Sequence, residues 1–173
     1  MNDELDKEIY IGIVFDLENT QIEGRWIREA VKPPFMNVAS KLGLSGRIYV
    51  GGFEDMPRTH GESVFQISTY QDVEDLPKKL RDVFAGIGVQ DGERFVFVVT
   101  NRIQENQIHH YQKALKMNQI KNYNNKVHFL CFGENCANKS FLSLVKEFNA
   151  KYIHIETMKC LDDLLTQIII TGG

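Results

Sequence analysis

The chain lacks the features that mark several large classes of protein. No cluster of Lys and Arg stands out and the formal net charge is −3, so nothing attracts the whole protein to nucleic acid or to an anionic membrane. The apolar runs are far shorter than a membrane-spanning helix, and the charged start of the chain is not that of a secretory signal. We therefore expect a cytoplasmic protein with no membrane partner and no nucleic-acid partner.

Glycine-rich phosphate loops are also missing. No Gly-x-Gly-x-x-Gly follows the first apolar run, and no P-loop lysine pattern occurs, which sets aside nucleotide binding by these motifs. Cysteine is scarce: Cys131, Cys136 and Cys160 are odd in number and lack the spacing of metal ligands. This pattern favours structural thiols in a reducing compartment.

What the chain does contain is an alternation of strand-like and helical patterns. Its 173 residues fit one domain, numbered 1–173, in which residues 1–8 are expected to be disordered or extended. Short apolar runs rich in β-branched and aromatic residues predict six strands: Tyr10–Phe15, Arg47–Phe53, Ser63–Tyr70, Phe95–Thr100, Val127–Phe132 and Tyr152–Ile155. Helical patterns between most of them indicate a three-layer α/β sandwich of the Rossmann-like kind, with a mostly parallel sheet.

One connection departs from this alternation. Residues 54–62, between the second and third predicted strands, are too few and too turn-rich for a crossover helix. These two strands are therefore predicted to form an antiparallel hairpin, which places one antiparallel strand at the edge of a six-stranded sheet.

Five helices are predicted from apolar periodicity and capping residues. Asn138 and Thr157 are the expected N-caps of the last two, and Pro33-Pro34 predicts a break or kink in the first. The predicted helices are Arg25–Leu42, Leu76–Phe84, Gln104–Asn118, Lys139–Phe148 and Lys159–Ile169.

Three oxygen-bearing side chains follow the first predicted strand at alternate positions. Asp16, Glu18 and Thr20 lie where the strand ends, at the sheet edge where open α/β sheets bind ligands. Their oxygens suit a hard cation such as Mg²⁺ or acid chemistry on a phosphate. An ordinary strand-to-helix turn with solvated polar residues is an equally simple interpretation.

The order of these elements resembles the von Willebrand factor A (vWA) domain, a family whose sheet has one antiparallel edge strand. The best match is Lys126–Ile170, in which a strand ending at Phe132-Gly133 leads through a loop to the helix Phe141–Ala150. A short strand, Lys151–Ile155, and a closing helix from Leu161 then follow in the family's order. The resemblance implies a single domain with its binding site at the carboxyl edge of the sheet.

The family's metal-ion-dependent adhesion site is only partly matched. Its Asp-x-Ser-x-Ser loop reads Asp16-x-Glu18-x-Thr20 here, and Thr100-Asn101-Arg102 stands in place of Thr-Asp-Gly. The resemblance thus implies Asp16, Glu18, Thr20 and Asn101 as metal ligands, with no cofactor or a weakly bound Mg²⁺. Arg102 offers another way to neutralise the carboxylates, through a bidentate pair.

These observations predict an intracellular, non-catalytic protein-interaction module with a degenerate metal site. Its partner, an unidentified protein, is expected at the loops that follow Phe15, Phe53 and Thr100. The residues expected to contact that partner are Asn19, Glu54, Asp55, Arg58 and Arg102.

Two enzyme classes remain as alternatives. Asp16-x-x-Asn19 resembles the opening of the NYN subgroup of PIN-like metal-dependent ribonucleases, with Asp72, Glu74 and Asp75 as further acids, although the strand end at 100–102 carries none. The same loop is similar to that of haloacid dehalogenase-like phosphatases. That resemblance implies Asp16 as nucleophile, Glu18 as general acid and Thr100 as phosphate ligand, but the family's closing acidic pair is missing from 133–138.

Overall fold

Parallel strands form a single sheet across the part of the chain that the structure describes. The structure is a computed structural model, and it describes residues 9–17, 26–27, 30–31, 33–35, 37–38, 48–51, 84–88, 92–136, 138–159 and 161–172. The strands are β1 (Ile9–Asp16), β2 (Ile48–Gly51), β3 (Glu93–Arg102), β4 (Lys126–Asn135) and β5 (Lys151–Ile155). They are ordered β2-β1-β3-β4-β5, and every neighbouring pair is parallel.

Helices cover both faces of this sheet. Helical residues between 26 and 38 form α1, and residues 84–88 form α2. The remaining helices are α3 (Glu105–Ile120), α4 (Lys139–Glu147) and α5 (Leu161–Thr171). One buried cluster joins α1 and α5 to one face of the sheet, and a second joins α2, α3 and α4 to the other. The coarse prediction of a layered α/β sandwich is therefore confirmed.

The central strands are apolar along their whole length because both of their faces are covered. On β1, Ile11, Ile13 and Phe15 belong to the cluster of α1 and α5, whereas Val14 belongs to the cluster of α2, α3 and α4. Residue 16 follows this alternation, so Asp16 points toward the same side as Val14. The alternation directs the Asp16 side chain toward the layer of α3.

Local signals set the helix ends. The Asn138 side chain accepts a hydrogen bond from the Phe141 backbone N–H at 3.1 Å, which confirms it as the N-cap of α4. Asn122 and Asn149 follow α3 and α4 with φ of 54° and 56°, a left-handed conformation that asparagine tolerates at helix ends. Thr157 accepts from the Lys159 backbone N–H at 3.2 Å, just before α5.

Several boundaries differ from the sequence-based ones. β3 runs two residues beyond Thr100, and α3 extends two residues past Asn118. The helix at 84–88 continues beyond the end predicted at Phe84. Pro33 and Pro34 are themselves helical, and the break or kink predicted here stays a prediction. The fixed φ of proline is compatible with helical backbone.

Part of the predicted topology lies outside the described residues. The strand Ser63–Tyr70 and the hairpin turn at 54–62 belong to this part, as do residues 1–8. Six strands and an antiparallel edge strand therefore stay predictions.

Two of the three cysteines differ from the prediction of separate structural thiols. Cys131 and Cys136 form a disulfide, with their Cα atoms 6.2 Å apart, rather than two separate thiols. Both side chains are fully buried in the cluster of α2, α3 and α4. The ladder between β3 and β4 shifts register here, since Thr100 pairs with Cys131 but Arg102 pairs with Asn135, and Gly133 within this stretch has a φ of +108°.

No helix among the described residues has both the length and the apolar character needed to cross a membrane.

Two glycines of α2 provide a test of how closely this helix packs on the chain that follows α3. A Cβ added at Gly88 would lie 2.7 Å from Cδ1 of Tyr123 and closer still to its Cβ and Cγ, whereas nothing lies within 4 Å of a Cβ at Gly86. We expect Gly88→Ala to lower the free energy of unfolding by about 1–3 kcal/mol because it overpacks this contact. Chemical denaturation measures this change.

The matched control is Gly86→Ala in the same helix. It should raise the free energy of unfolding by about 0.4–1 kcal/mol, because alanine reduces the entropy of the unfolded chain. Equal stabilisation by both substitutions would contradict the packing of Gly88 against Tyr123.

Candidate functional site

The candidate site lies at the carboxyl edge of the sheet, between the ends of β1 and β3. The sheet order reverses here, because β2 lies on one side of β1 and β3 on the other. Such a reversal leaves a crevice outside the strand ends, where open α/β sheets bind ligands. Asp16, the last residue of β1, lies in register with Thr100 of β3.

Two side chains of α3 hold the carboxylate of Asp16. Nε2 of Gln107 lies 2.8 Å from each carboxylate oxygen and donates to them. The hydroxyl of Tyr111 donates to Oδ2. Neither donor carries a charge, so Asp16 is held by dipoles and its charge is not cancelled by these partners.

The helix positions both donors by its own periodicity. Gln107 and Tyr111 are four residues apart, so they lie on the same face of α3. Oε1 of Gln107 accepts from the Gln104 backbone N–H at 2.7 Å, so its amide nitrogen faces Asp16. The Tyr111 ring packs edge-on against Phe129, with centroids 5.2 Å apart. The donors are therefore fixed before any ligand arrives.

Burial dominates the electrostatics of this site. Asp16 as a residue is partly exposed, but removal of its carboxyl group from solvent raises its pKa to about 6. The hydrogen bond from Tyr111, the charge of Arg102 and the hydrogen bond from Gln107 oppose this rise. Burial and the nearby Asp16 carboxylate raise the pKa of Tyr111 well above its ordinary value. Tyr111 therefore stays a donor at neutral pH.

Arg102 follows the site on β3 and brings the positive charge that acts on Asp16. With its oxygen turned toward the guanidinium, the Gln104 side chain accepts from Nε of Arg102 at 3.2 Å. Gln104 thus contacts Arg102 through its side chain and Gln107 through its backbone. The positive group and the Asp16 donors belong to one connected arrangement at the start of α3.

Thr100 and Asn101 have different surroundings although they are adjacent. Thr100 is fully buried and donates from Oγ1 to the carbonyl of Arg102 at 2.9 Å. A further contact with Tyr111 places it on the α3 side of the sheet. Strand alternation puts Asn101 on the opposite face, where it is 8 % exposed and its Oδ1 has no hydrogen-bond partner among the described residues.

The structure thus brings Asp16, Thr100 and Arg102 together on one side of the edge, and places Asn101 at the same edge on the other side. The remaining predicted site residues lie outside the described residues: Glu18, Asn19, Thr20, Glu54, Asp55 and Arg58. Within the described ranges, no three His, Cys, Asp or Glu side chains come close enough to hold a metal ion together. The predicted metal set stays a prediction.

Sequence reasoning missed Gln107 and Tyr111. The sequence of α3 is strongly polar, which obscures its buried face, and His109 on it is exposed. The missed signal is the spacing of Gln107, Tyr111 and Ala114, which marks the buried face of α3 at helical intervals.

A scan against protein-family models and a search among curated proteins both find no match for this chain.

Tyr111→Phe tests the contribution of the hydroxyl to the site. The ring would keep its contacts with Phe129 and Phe141, while the Asp16 carboxylate would lose one donor. We expect the free energy of unfolding to fall by about 1–3 kcal/mol, because a buried acceptor is left short of a partner. Urea denaturation at neutral pH measures the loss.

The control is Tyr152→Phe, which removes a hydroxyl from another ring that packs on Phe141, with centroids 6.2 Å apart. No hydrogen bond of the Tyr152 hydroxyl is present among the described residues, so a near-neutral effect is expected. Equal losses in both variants would show that the bond to Asp16 contributes nothing.

The raised pKa of Asp16 predicts a pH dependence. Its carboxyl pKa rises from 3.8 to about 6 on folding, so the folded protein holds the proton more tightly. The stabilisation is complete below the lower pKa and is lost as pH rises through about 6. Relative to Asp16→Asn, the free energy of unfolding of the unsubstituted protein should fall by up to ~3 kcal/mol between about pH 4 and about pH 7.

Denaturation curves of the two proteins across this pH range measure the difference directly, and other titrating groups largely cancel. A difference that does not change with pH would contradict burial of the Asp16 carboxyl.

Proposed function

We propose that this chain is a non-catalytic protein-interaction module of vWA-like type, whose partner docks at the carboxyl edge between β1 and β3. The parallel sheet covered by helices supports this proposal, as does the reversal of strand order beside Asp16. The fold alone hosts many functions, so the proposal depends on the chemistry of the edge.

The observation that carries the proposal is the engagement of Asp16. Both of its oxygens already accept hydrogen bonds from Gln107, and one also accepts from Tyr111. A nucleophile or a tight metal ligand needs lone pairs directed at the substrate or the ion, and α3 already occupies three of the roughly four lone-pair sites of this carboxylate. Here the carboxylate joins the end of β1 to α3, which is a structural use of its lone pairs.

Recognition at this edge would use groups on β3. Arg102 offers a guanidinium, whose planar donors match a carboxylate in a bidentate pair. Oδ1 of Asn101 offers a buried acceptor that has no donor among the described residues. A partner segment that carries a carboxylate and an N–H group would complement both. If Glu18 and Thr20 add a weak Mg²⁺ site beside Asp16, a partner carboxylate would complete its coordination as well.

The test uses a fluorescent peptide rich in Asp and Glu, with anisotropy as the readout, in Mg²⁺ and again in EDTA. Arg102→Gln should weaken binding about tenfold, since it removes a charge-assisted contact. Arg94→Gln is the matched control, because it makes the same substitution at the opposite end of β3. A moderate gain in Mg²⁺ is expected if the weak cation site exists.

Equal binding by both arginine variants, or no binding of the peptide, would reject the carboxyl edge as the docking surface. The enzyme alternatives are tested with single-stranded RNA and an aryl phosphate in Mn²⁺. Cleavage of either that is lost in Asp16→Asn, but kept in the exposed control Asp163→Asn, would replace this proposal with a hydrolase.

A further inference from the structure

A cavity of about 510 Å³ opens at the amino ends of β4 and β5, on the edge of the sheet opposite to Asp16. This volume is in the range of pockets that hold small molecules. The turns that follow α3 and α4 form one side of the cavity, and the end of α5 contributes Gly172. The cavity therefore lies where three helices end.

The lining is rich in amides and contains two lysines. Five asparagines and a glutamine contribute, together with Lys126, Lys151 and His128, and no carboxylate side chain is among the described lining residues. Amide groups both donate and accept hydrogen bonds, and lysines attract anions. This chemistry suits a small anionic ligand with several polar groups.

Asn125 supplies an acceptor in a fixed orientation. Its Nδ2 donates to the carbonyl of Phe84 and to Oδ1 of Asn118, both at 2.9 Å. Rotation of the amide by 180° would place its oxygen against these two acceptors, so the observed orientation is the favourable one. Oδ1 of Asn125 is then left buried and without a hydrogen-bond partner among the described residues. A ligand hydroxyl or N–H group would supply the missing donor.

His128 supplies a second buried polar group. It is 2 % exposed, stacks on Phe97 with centroids 5.3 Å apart, and its Nδ1 has no hydrogen-bond partner of ordinary geometry among the described residues. Burial lowers the pKa of His128 to about 4; a backbone contact with Lys126 opposes this effect, and the charges of Lys151 and Lys126 add to it. The ring is therefore neutral at pH 7, and one nitrogen can donate while the other accepts.

Two lysines supply the positive charge at this edge. Nζ of Lys126 lies 5.1 Å from the Phe95 ring centroid and 4.0 Å from Oε1 of Glu93, a separation at which the pairing is weak. Lys151 is exposed at the start of β5. Helix ends contribute partial negative charge, but backbone N–H groups satisfy some of their carbonyls, as Tyr123 does for Asn118 at 3.1 Å.

We propose that this cavity binds a small phosphorylated ligand that also carries hydroxyl groups, of the sugar phosphate class. Lys126 and Lys151 hold its phosphate, and a ligand hydroxyl donates to Oδ1 of Asn125. The site is separate from the proposed docking surface, since the two lie at opposite edges of the sheet. Failure of one proposal therefore does not affect the other.

The experiment is isothermal titration calorimetry of the full chain with ribose 5-phosphate as the probe. Ribose and inorganic phosphate are titrated separately as the two comparison arms. We expect ribose 5-phosphate to bind at least about tenfold more tightly than either arm, because it alone engages both the lysines and Asn125. Lys151→Ala should weaken its binding about tenfold, since it removes a charged contact.

Lys139→Ala is the matched control, because Lys139 is exposed at the start of α4, near the other edge of the sheet. Its affinity for the probe should equal that of the unsubstituted protein, and thermal melts of both variants check that they fold. Undetectable binding of ribose 5-phosphate, or equal affinity in the two lysine variants, would overturn the proposal. Equal affinity for inorganic phosphate and ribose 5-phosphate would overturn the contact with Asn125.

Discussion

The attachment of the Asp16 carboxylate to α3 is the interaction on which the carboxyl edge of this protein depends. Gln107 and Tyr111 reach the end of β1 from the first turns of the helix, and the bonds join the middle of the sheet to the layer above it. Burial raises the free energy of the ionised carboxylate, and hydrogen bonds from the two neutral donors reduce this cost. The residue that most suggests chemistry in the sequence is thus also one that organises the fold.

The hydrogen bonds between Asp16 and α3 limit the contacts that the carboxyl edge can make with a ligand. A carboxylate whose oxygens are engaged by α3 cannot turn toward a ligand without leaving unpaired donors behind, which is unfavourable in a buried site. Arg102 and Asn101 are then the groups of β3 most suited to contact a partner. Their alternation along the strand presents a cation on one side of the sheet and an acceptor on the other.

Parallel strands also separate the two proposed sites. All carboxyl ends lie at one edge, together with the start of α3 and α4, and all amino ends lie at the other, together with the helix ends. Polar side chains collect at both edges because the middle of the sheet is apolar on both faces. The asparagines that end α3 and α4 therefore also line the cavity at the amino edge.

The strands of the described sheet, the cap at Asn138 and the prominence of Asp16 could be predicted from the sequence, since they depend on local periodicity and on neighbouring residues. The partners of Asp16 could not, because Gln107 and Tyr111 are 91 and 95 residues away along the chain and meet it through packing. The tertiary structure also decided the pairing of Cys131 with Cys136 and the unpaired oxygen of Asn125. Local patterns show which face of an element is buried, but the groups that meet across that face depend on how the elements pack.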